Sequence, residues 1–306
     1  MKILLIVNAT ASSVTARRKV VIQKALGSDH TLEVAETHRR GHAARLARGA
    51  ALDDTDVVAV LAGDGTLNEA AGGVAGSDTA LAALPGGSTN VYGRTIGVDQ
   101  DPIDATSQLL DALDARSFER VGLGVANGRR FLFHLGIGYD ARVIEWVERR
   151  QGLKRYAPHP LYVLAAVDTW FRRYDRKQKV RVTNGDGHEV GRGPFAIISK
   201  TSPYTYLGAR GLNIAPEAGL ETPLAATVFG SIDLPLILEL AASALGTGKW
   251  LRNHKSVGRG VGLDRLVVTG DEPFPWQVDG DFLGDVDCLE VGYEPDALTL
   301  VVPRSP

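Results

Sequence analysis

Only one of the 306 residues is a cysteine, Cys288, so neither an intrachain disulfide framework nor a multi-cysteine zinc or iron–sulfur site can form. A reducing compartment fits that scarcity. Long apolar runs are missing too. The opening Ile3-Leu4-Leu5-Ile6-Val7 stops at Asn8, too short for a signal-peptide core or a membrane span. The stretch from Leu234 to Leu245 is broken by Pro235 and Glu239. A soluble, cytoplasmic chain is expected. Charge of one sign is not in excess either: 34 Lys and Arg against 36 Asp and Glu leave −2, and nucleic acid is not an expected partner. There is no GxxxxGK[ST] loop, no GxGxxG after a strand, no HExxH and no GxSxG elbow. The seven histidines show no metal-ligand spacing, and His42 reads as a solvated or helix-capping residue.

What is present is globular: 44% hydrophobic and 23% charged residues, in a length that suits roughly two domains of ~150 residues. The 35 glycines, about 11% against a usual ~7%, gather in tight clusters after apolar runs. In the first third, strand and helix patterns alternate. Strands are expected at Lys2–Val7, Thr31–Glu36, Asp56–Ala62 and Thr79–Leu84, with helices at Val14–Leu26, Gly41–Leu52, Leu67–Ala75 and Asp104–Arg116. Repeated βα units imply a mostly parallel sheet covered by helices, with ligands beyond the carboxyl ends of its strands. Near residue 120 the pattern changes. Asn127-Gly128, Asn184-Gly185 and Asp279-Gly280 read as hairpin turns between strands at Lys179–Thr183, Glu189–Ser199, Thr227–Phe229, Arg265–Thr269, Leu289–Val291 and Leu298–Val302. Helical stretches at Tyr139–Arg150 and Leu161–Arg173 interrupt them. The expected division is an α/β nucleotide-binding domain over 1–122 and a mainly antiparallel β domain over 123–306.

Two constellations carry chemistry. Ala62-Gly63-Asp64-Gly65-Thr66-Leu67-Asn68-Glu69 follows the third strand and opens a helix. Glycines there let backbone N–H groups approach an anion, and the helix N-terminus adds partial positive charge. Asp64 would repel a phosphate unless a cation shares the site, which suggests Mg²⁺-nucleotide; the plain alternative is a turn aspartate. Pro85-Gly86-Gly87-Ser88-Thr89-Asn90-Val91-Tyr92-Gly93-Arg94 follows the fourth strand with a second glycine turn, two hydroxyls and an amide. A helix cap at Ser88 or Thr89 explains one residue of that cluster but not the whole. Polar residues Asn8 to Ser13 follow strand one, and Thr37 follows strand two.

These segments resemble the diacylglycerol kinase-type lipid kinases, a family that includes sphingosine and ceramide kinases. Gly63 to Glu69 is similar to the family's GGDGT-x-NE motif, with Ala62 at the first glycine, and Pro85 to Arg94 to PGGT-x-N-x-x-x-R, with Ser88 at the threonine. Asn8 keeps the Asn of N-P-x-(A/S)-G, and Thr37 with His42-Ala43 matches T-x-x-x-x-HA. Gly136-Ile137-Gly138-Tyr139-Asp140-Ala141 and Leu212 to Ala218 continue the likeness in the right order. NAD kinases share the GGDGT element; the second motif favours the lipid-kinase branch. The resemblance implies an NAD-kinase-like fold and an ATP site between two domains. That site would draw on Asn8, Thr37, Gly63, Asp64, Gly65, Thr66, Asn68, Glu69, Gly86, Gly87, Ser88, Thr89 and Asn90, with Mg²⁺ organised by Asp64. It also implies a lipid pocket in the second domain and a general base in a late D-G-E turn. Here the turn reads Val278-Asp279-Gly280-Asp281, so the base would be Asp281, shorter in reach by ~1.5 Å, with Asp64 as competitor. The family's acidic D-D-G-L turn, part of a structural Mg²⁺ site, is replaced by Gly219-Leu220-Glu221-Thr222-Pro223-Leu224.

Residues 149 to 181 hold ten basic side chains against Asp168 and Asp175, a net of +8, with Trp170, Phe171 and Tyr174 among them. Such a mixture suits transient contact with an anionic membrane surface; a solvated helix and hairpin face is the alternative. The expected activity is ATP-dependent phosphorylation of a lipid hydroxyl. The alternatives are a non-catalytic lipid- or nucleotide-binding protein and a kinase of a soluble small molecule. Oligomeric state stays open, a homo-oligomer included.

Overall fold

Short runs of Val, Ile, Leu and Ala, buried from end to end, become parallel strands because helices cover both of their faces. The computed structural model describes residues 1–150, 164–170, 179–233 and 254–304. Their contacts separate two units: Met1–Leu123 with Pro295–Pro306, and Gly124–Glu294. The final segment thus joins the first unit, where the sequence suggested an unbroken second domain. Its Leu300 pairs in parallel with Leu81, which supplies the physical reason.

The first unit runs β1 (Lys2–Val7), α1 (Ala16–Asp29), β2 (Thr31–Glu36), α2 (His42–Leu52), β3 (Val57–Ala62), α3 (Asp64–Val74), β4 (Ala80–Pro85), α4 (Val91–Thr95) and α5 (Pro102–Asp114). The sheet order is β4-β3-β1-β2, all parallel, with Ile3 opposite Val57 and Lys2 opposite Thr31. All six residues of β3 are buried. Helix ends carry the expected signals: the Thr15 side chain accepts from Arg18 N, and Asp101 caps α5 ahead of Pro102. Helices α2 and α3 pack through small residues; a Cβ on Gly73 would lie 2.6 Å from Ala44 O. With the strands parallel, the loops after β1, β3 and β4 share one edge.

The chain leaves this unit within β5 (Phe118–Ala126). It continues through β6 (Arg129–Phe131), β7 (His134–Gly138), α6 (Tyr139–Glu148), β8 (Val180–Asn184), β9 (Glu189–Gly193), β10 (Phe195–Ser199), β11 (Thr205–Leu207), β12 (Arg210–Leu212), β13 (Leu224–Phe229), β14 (Val257–Leu263), β15 (Arg265–Val278) and β16 (Asp281–Val301). The second unit's sheet runs β14-β13-β10-β7-β15-β16, its pairs antiparallel, with β8 and β9 off its side. Leu135, Ile137, Ile198, Leu266, Val268 and Phe274 form the centre of its main core. The mostly parallel first sheet and antiparallel second sheet are the two fold classes expected from the sequence.

Several boundaries differ for identifiable reasons. Asn127-Gly128 and Asp279-Gly280 form tight turns with both residues at positive φ, as expected. Asn184-Gly185 does not: the chain closes later, where Asn184 N donates to His188 O and Gly187 takes φ +82°. Pro194, which has no N–H, separates β9 from β10 within the expected Glu189–Ser199 strand. Expected strands at Leu289–Val291 and Leu298–Val302 are parts of one strand, β16. Of the expected Leu161–Arg173 helix, 164–170 is helical and the rest lies outside the described residues, as does the Leu234–Leu245 stretch. No described helix is long and apolar enough to cross a membrane.

His134 starts β7 opposite Ser199 and is buried against Phe133 and Tyr204, ring centroids 4.8 and 4.3 Å away. Neither ring nitrogen has a hydrogen-bond partner. Burial pulls its pKa from 6.5 down to about 3. The native state therefore holds a neutral imidazole that the unfolded chain protonates below 6.5. Stability is full above that pH and falls as pH drops towards 3. Denaturant unfolding of His134→Phe across this range is expected to lose less stability on acidification than the parent chain; an identical slope would show that the burial costs nothing.

Candidate active site

At the shared loop edge of the first unit, backbones rather than side chains come closest. A Cβ on Gly86 would sit 2.8 Å from Ala62 Cα and N, and one on Gly87 would sit 2.9 Å from Gly63 Cα. The glycines of the second cluster are therefore required first by loop-on-loop packing, a need that comes before any ligand. Polar side chains lock the contact. Asn90, at φ 46°, accepts from Gly87 N at 2.9 Å and donates to Gly87 O at 3.0 Å. Ser13 N donates to Gly86 O at 2.9 Å, and its hydroxyl donates to Gly87 O at 3.3 Å. Asn8 accepts from Thr10 N and Oγ1 at 3.1 and 2.7 Å, and its Nδ2 donates to Thr66 Oγ1 at 3.4 Å. The loops after β1, β3 and β4 thus form one hydrogen-bonded assembly.

Asp64 sits at the centre of it. Its Oδ2 accepts from Val91 N at 2.9 Å and its Oδ1 from Tyr92 N at 3.0 Å, so the carboxylate caps α4. Among the described residues no three His, Cys, Asp or Glu side chains come together to hold a metal. Through its bonds to the Val91 and Tyr92 amides Asp64 fastens the two glycine loops. The edge fits a phosphate. Gly63 caps α3 without a side-chain hydrogen bond, and the first turn of that helix carries the amides of Gly65 and Thr66. Ser88 is exposed and Thr89 partly so on the adjoining turn, while Asn68 is buried beneath. Thr37 follows β2, its amide donating to Val7 O at 2.9 Å as a continuation of the strand ladder.

Glu69, expected from the sequence to bind the cofactor, accepts from Gly41 N at 2.7 Å and Ala43 N at 3.2 Å. Helix α2 begins at Gly41 with φ 77° and no side-chain cap of its own, so Glu69 supplies that cap from α3.

In the second unit, the structure brings the expected base, Asp281, into one cluster with residues that the sequence gave no catalytic role. Asp279, 5% exposed and at φ 48°, accepts from Leu132 N, Phe133 N and His134 N at 2.7, 3.1 and 2.9 Å. Asp281, the expected base, pairs with the Arg129 guanidinium at 3.2 Å. Gln277 Oε1 accepts from Gly280 N at 2.8 Å, and its Nε2 donates to Asp140 Oδ2 at 2.8 Å. Tyr204 donates to Asp140 Oδ1 at 2.5 Å. Asp140 retains some accessible surface, yet protein surrounds it; burial raises its pKa, opposed by the Tyr204 and Gln277 hydrogen bonds. The cluster fits because Gly136 lies beneath it, where a Cβ would fall 1.7 Å from Asp140 Oδ2. The Asp-Gly turn was legible; its two buried anchors, Asp279 and Gln277, had no signal beyond adjacency to it.

The fold is NAD-kinase-like. Residues 2–118 match the family model of the diacylglycerol kinase catalytic domain. The chain is 31% identical over 121 residues to a diacylglycerol kinase of Bacillus subtilis, a match spanning 39% of each protein. It is 26% identical over 209 residues to a Streptococcus pneumoniae protein provisionally named a lipid kinase, covering 66% of this chain and 67% of that one. Among solved structures it resembles a diacylglycerol kinase of Bacillus anthracis, with a TM-score of 0.75 and 20% identity over 98% of this chain and 96% of that one. An NAD kinase from Archaeoglobus fulgidus in complex with ATP shares the fold with a TM-score of 0.57 at 12% identity, covering 98% of this chain and 93% of that one.

A capping role and a ligand-binding role for Glu69 give different results. Glu69→Ala is expected to cost about 1 kcal/mol of stability, as lost helix caps do, and to leave nucleotide affinity within a few-fold. Chemical denaturation and nucleotide titration calorimetry of the same variant check both; a normal stability with abolished binding would return Glu69 to the ligand.

Proposed function

We propose that this chain is an ATP-dependent lipid kinase that transfers the γ-phosphoryl group of ATP to a hydroxyl of a diacylglycerol-like lipid. The observation that carries the reading is the pair of glycine loops locked through Asp64 at the carboxyl edge of the parallel sheet, within the segment of kinase family. In this reading the amides at the start of α3, with Ser88 and Thr89, receive the ATP phosphates. Mg²⁺ would arrive as a complex of those phosphates, with Asp64 shaping its surroundings. Charge neutralisation at the transferring phosphoryl group is what that ion supplies.

The lipid hydroxyl oxygen forms the new bond to the γ-phosphorus, and the bond to the β–γ bridging oxygen breaks, releasing ADP. Asp281 takes the hydroxyl proton. Its turn is held on one side by Asp279 and on the other by Gln277, which sets where the carboxylate points. The Arg129 pair favours a second reading, a non-catalytic lipid- or nucleotide-binding protein, because a guanidinium competes for the oxygen that would accept the proton. A kinase of a soluble alcohol is the third. The setting proposed is cytoplasmic and peripheral at the membrane, through the basic 149–181 segment, of which 151–163 and 171–178 lie outside the described residues.

Incubation with labelled ATP and Mg²⁺, with a total lipid extract or with soluble alcohols, separates the three: label in a lipid supports the first, nucleotide binding without transfer to either acceptor the second, and label in a soluble alcohol the third. Asp281→Asn is expected to lower turnover by ~10²–10⁴-fold with nucleotide binding little changed. Asp281→Glu restores the longer carboxylate and reports whether the short reach limits the natural reaction. Turnover near normal in Asp281→Asn would remove this residue from the chemistry.

A further inference from the structure

The resemblance implies a structural Mg²⁺ in the second domain, held by an acidic turn after the A-P-x-A segment, and the residues present do not fit one. Where two aspartates would stand, the turn reads Gly219-Leu220-Glu221-Thr222-Pro223, with Glu221 exposed. The turn closes on itself: Gly219 N donates to Thr222 Oγ1 at 2.8 Å, and Thr222 N donates to Gly219 O at 3.4 Å. The nearby carboxylate of Glu217 is paired with Arg259 at 2.6 Å.

A cation is nevertheless there, covalently part of the chain. Lys200, directly after β10, is 1% exposed, among the largest fully buried side chains described. Its Nζ donates to Gly219 O at 2.8 Å and to Leu220 O at 2.9 Å, and it lies 5.4 Å from the centroid of the Tyr293 ring. Two neutral carbonyl oxygens and an aromatic face are partners suited to an ammonium, which has three donors to spend. The same residue is anchored at its other end. Lys200 N donates to Phe133 O at 2.8 Å and Thr201 N donates to the same oxygen at 3.3 Å. Phe133 belongs to the Leu132–His134 segment whose amides Asp279 grips.

We propose that Lys200 is a built-in cation that replaces a divalent metal in this unit, tying the Gly219–Thr222 turn to the Leu132–His134 segment and so to the Asp279–Asp281 turn. Burial pulls the lysine pKa down from 10.5 to about 8, which leaves the ammonium largely protonated at neutral pH. A charge buried in this way costs folding energy, and an apolar replacement can be neutral or even stabilising overall. The role therefore shows in local order and in metal independence, and the inference stands whether or not the chain is a lipid kinase.

Two measurements on the nucleotide-free full chain test it. Dialysis against a chelator, followed by thermal melts with and without added Mg²⁺ or Ca²⁺, is expected to leave the melting temperature unchanged, since a structural ion would stabilise by mass action. A fall of several degrees on chelation, reversed by either ion, would overturn the proposal. In Lys200→Met, which keeps the length and removes the donors, hydrogen exchange at the Gly219 and Thr222 amides is expected to quicken by roughly tenfold while β10 and β13 keep their protection. Unchanged exchange at those two amides would overturn it as well. Should the Met variant not fold, the chelation result decides alone.

Discussion

The first unit depends on how closely two loop backbones approach. The turn after β4 lies against the end of β3, with a Cβ on Gly86 or Gly87 meeting backbone within 3 Å. Only residues without side chains permit that approach, and once made it buries amides and carbonyls that must be paired. Asn90, Ser13 and Asp64 supply the pairing. The result is a rigid edge from which the first turn of α3 presents its amides. A cradle of this kind is pre-organised by its packing, so that little ordering is left for the moment of binding.

Carboxylates recur as anchors of backbone rather than as free acids. Asp64 takes two amides, Glu69 takes two, and Asp279 takes three. Charge-assisted bonds to N–H groups are stronger than neutral ones, and each of these fixes a segment without regular pairing. Lys200 answers with the opposite sign, a cation gathering carbonyls. Such groups do structural work. For that reason, loss of activity on replacing an acidic residue here is a weak argument for catalysis unless stability is measured in the same variant.

The second unit holds a graded polar path in an apolar surround. Tyr204 donates to Asp140, Asp140 accepts from Gln277, and Gln277 accepts from the Gly280 amide. Because Gly136 provides no Cβ, a carboxylate and an amide lie flat on a sheet that elsewhere packs leucine and isoleucine. The turn that carries Asp281 is therefore held by buried partners on both sides, while Asp281 itself meets Arg129. Those partners define the position of the turn, and the guanidinium occupies one oxygen of the Asp281 carboxylate.

The βα alternation and the glycine clusters were readable from the chain alone, since period and turn chemistry are local properties. So were two of three Asx-Gly turns; the third failed because Gly187, two residues on, took the left-handed conformation. The loops gathered at one edge of the parallel sheet were legible as a set, while the hydrogen bonds that join them were not. Glu69 read as a ligand and caps α2, because its partner helix lies 26 and 28 residues earlier in the chain. That Asp64 fastens α4 was not legible either. Lys200 carried no signal, for a lone lysine after an apolar strand looks like any solvated one. Sequence by itself determined which segments become strands, where backbone must be bare and which family's motifs the chain resembles. Only tertiary structure decided which polar groups face each other, because a hydrogen bond across dozens of residues depends on sheet order and packing that no local pattern encodes.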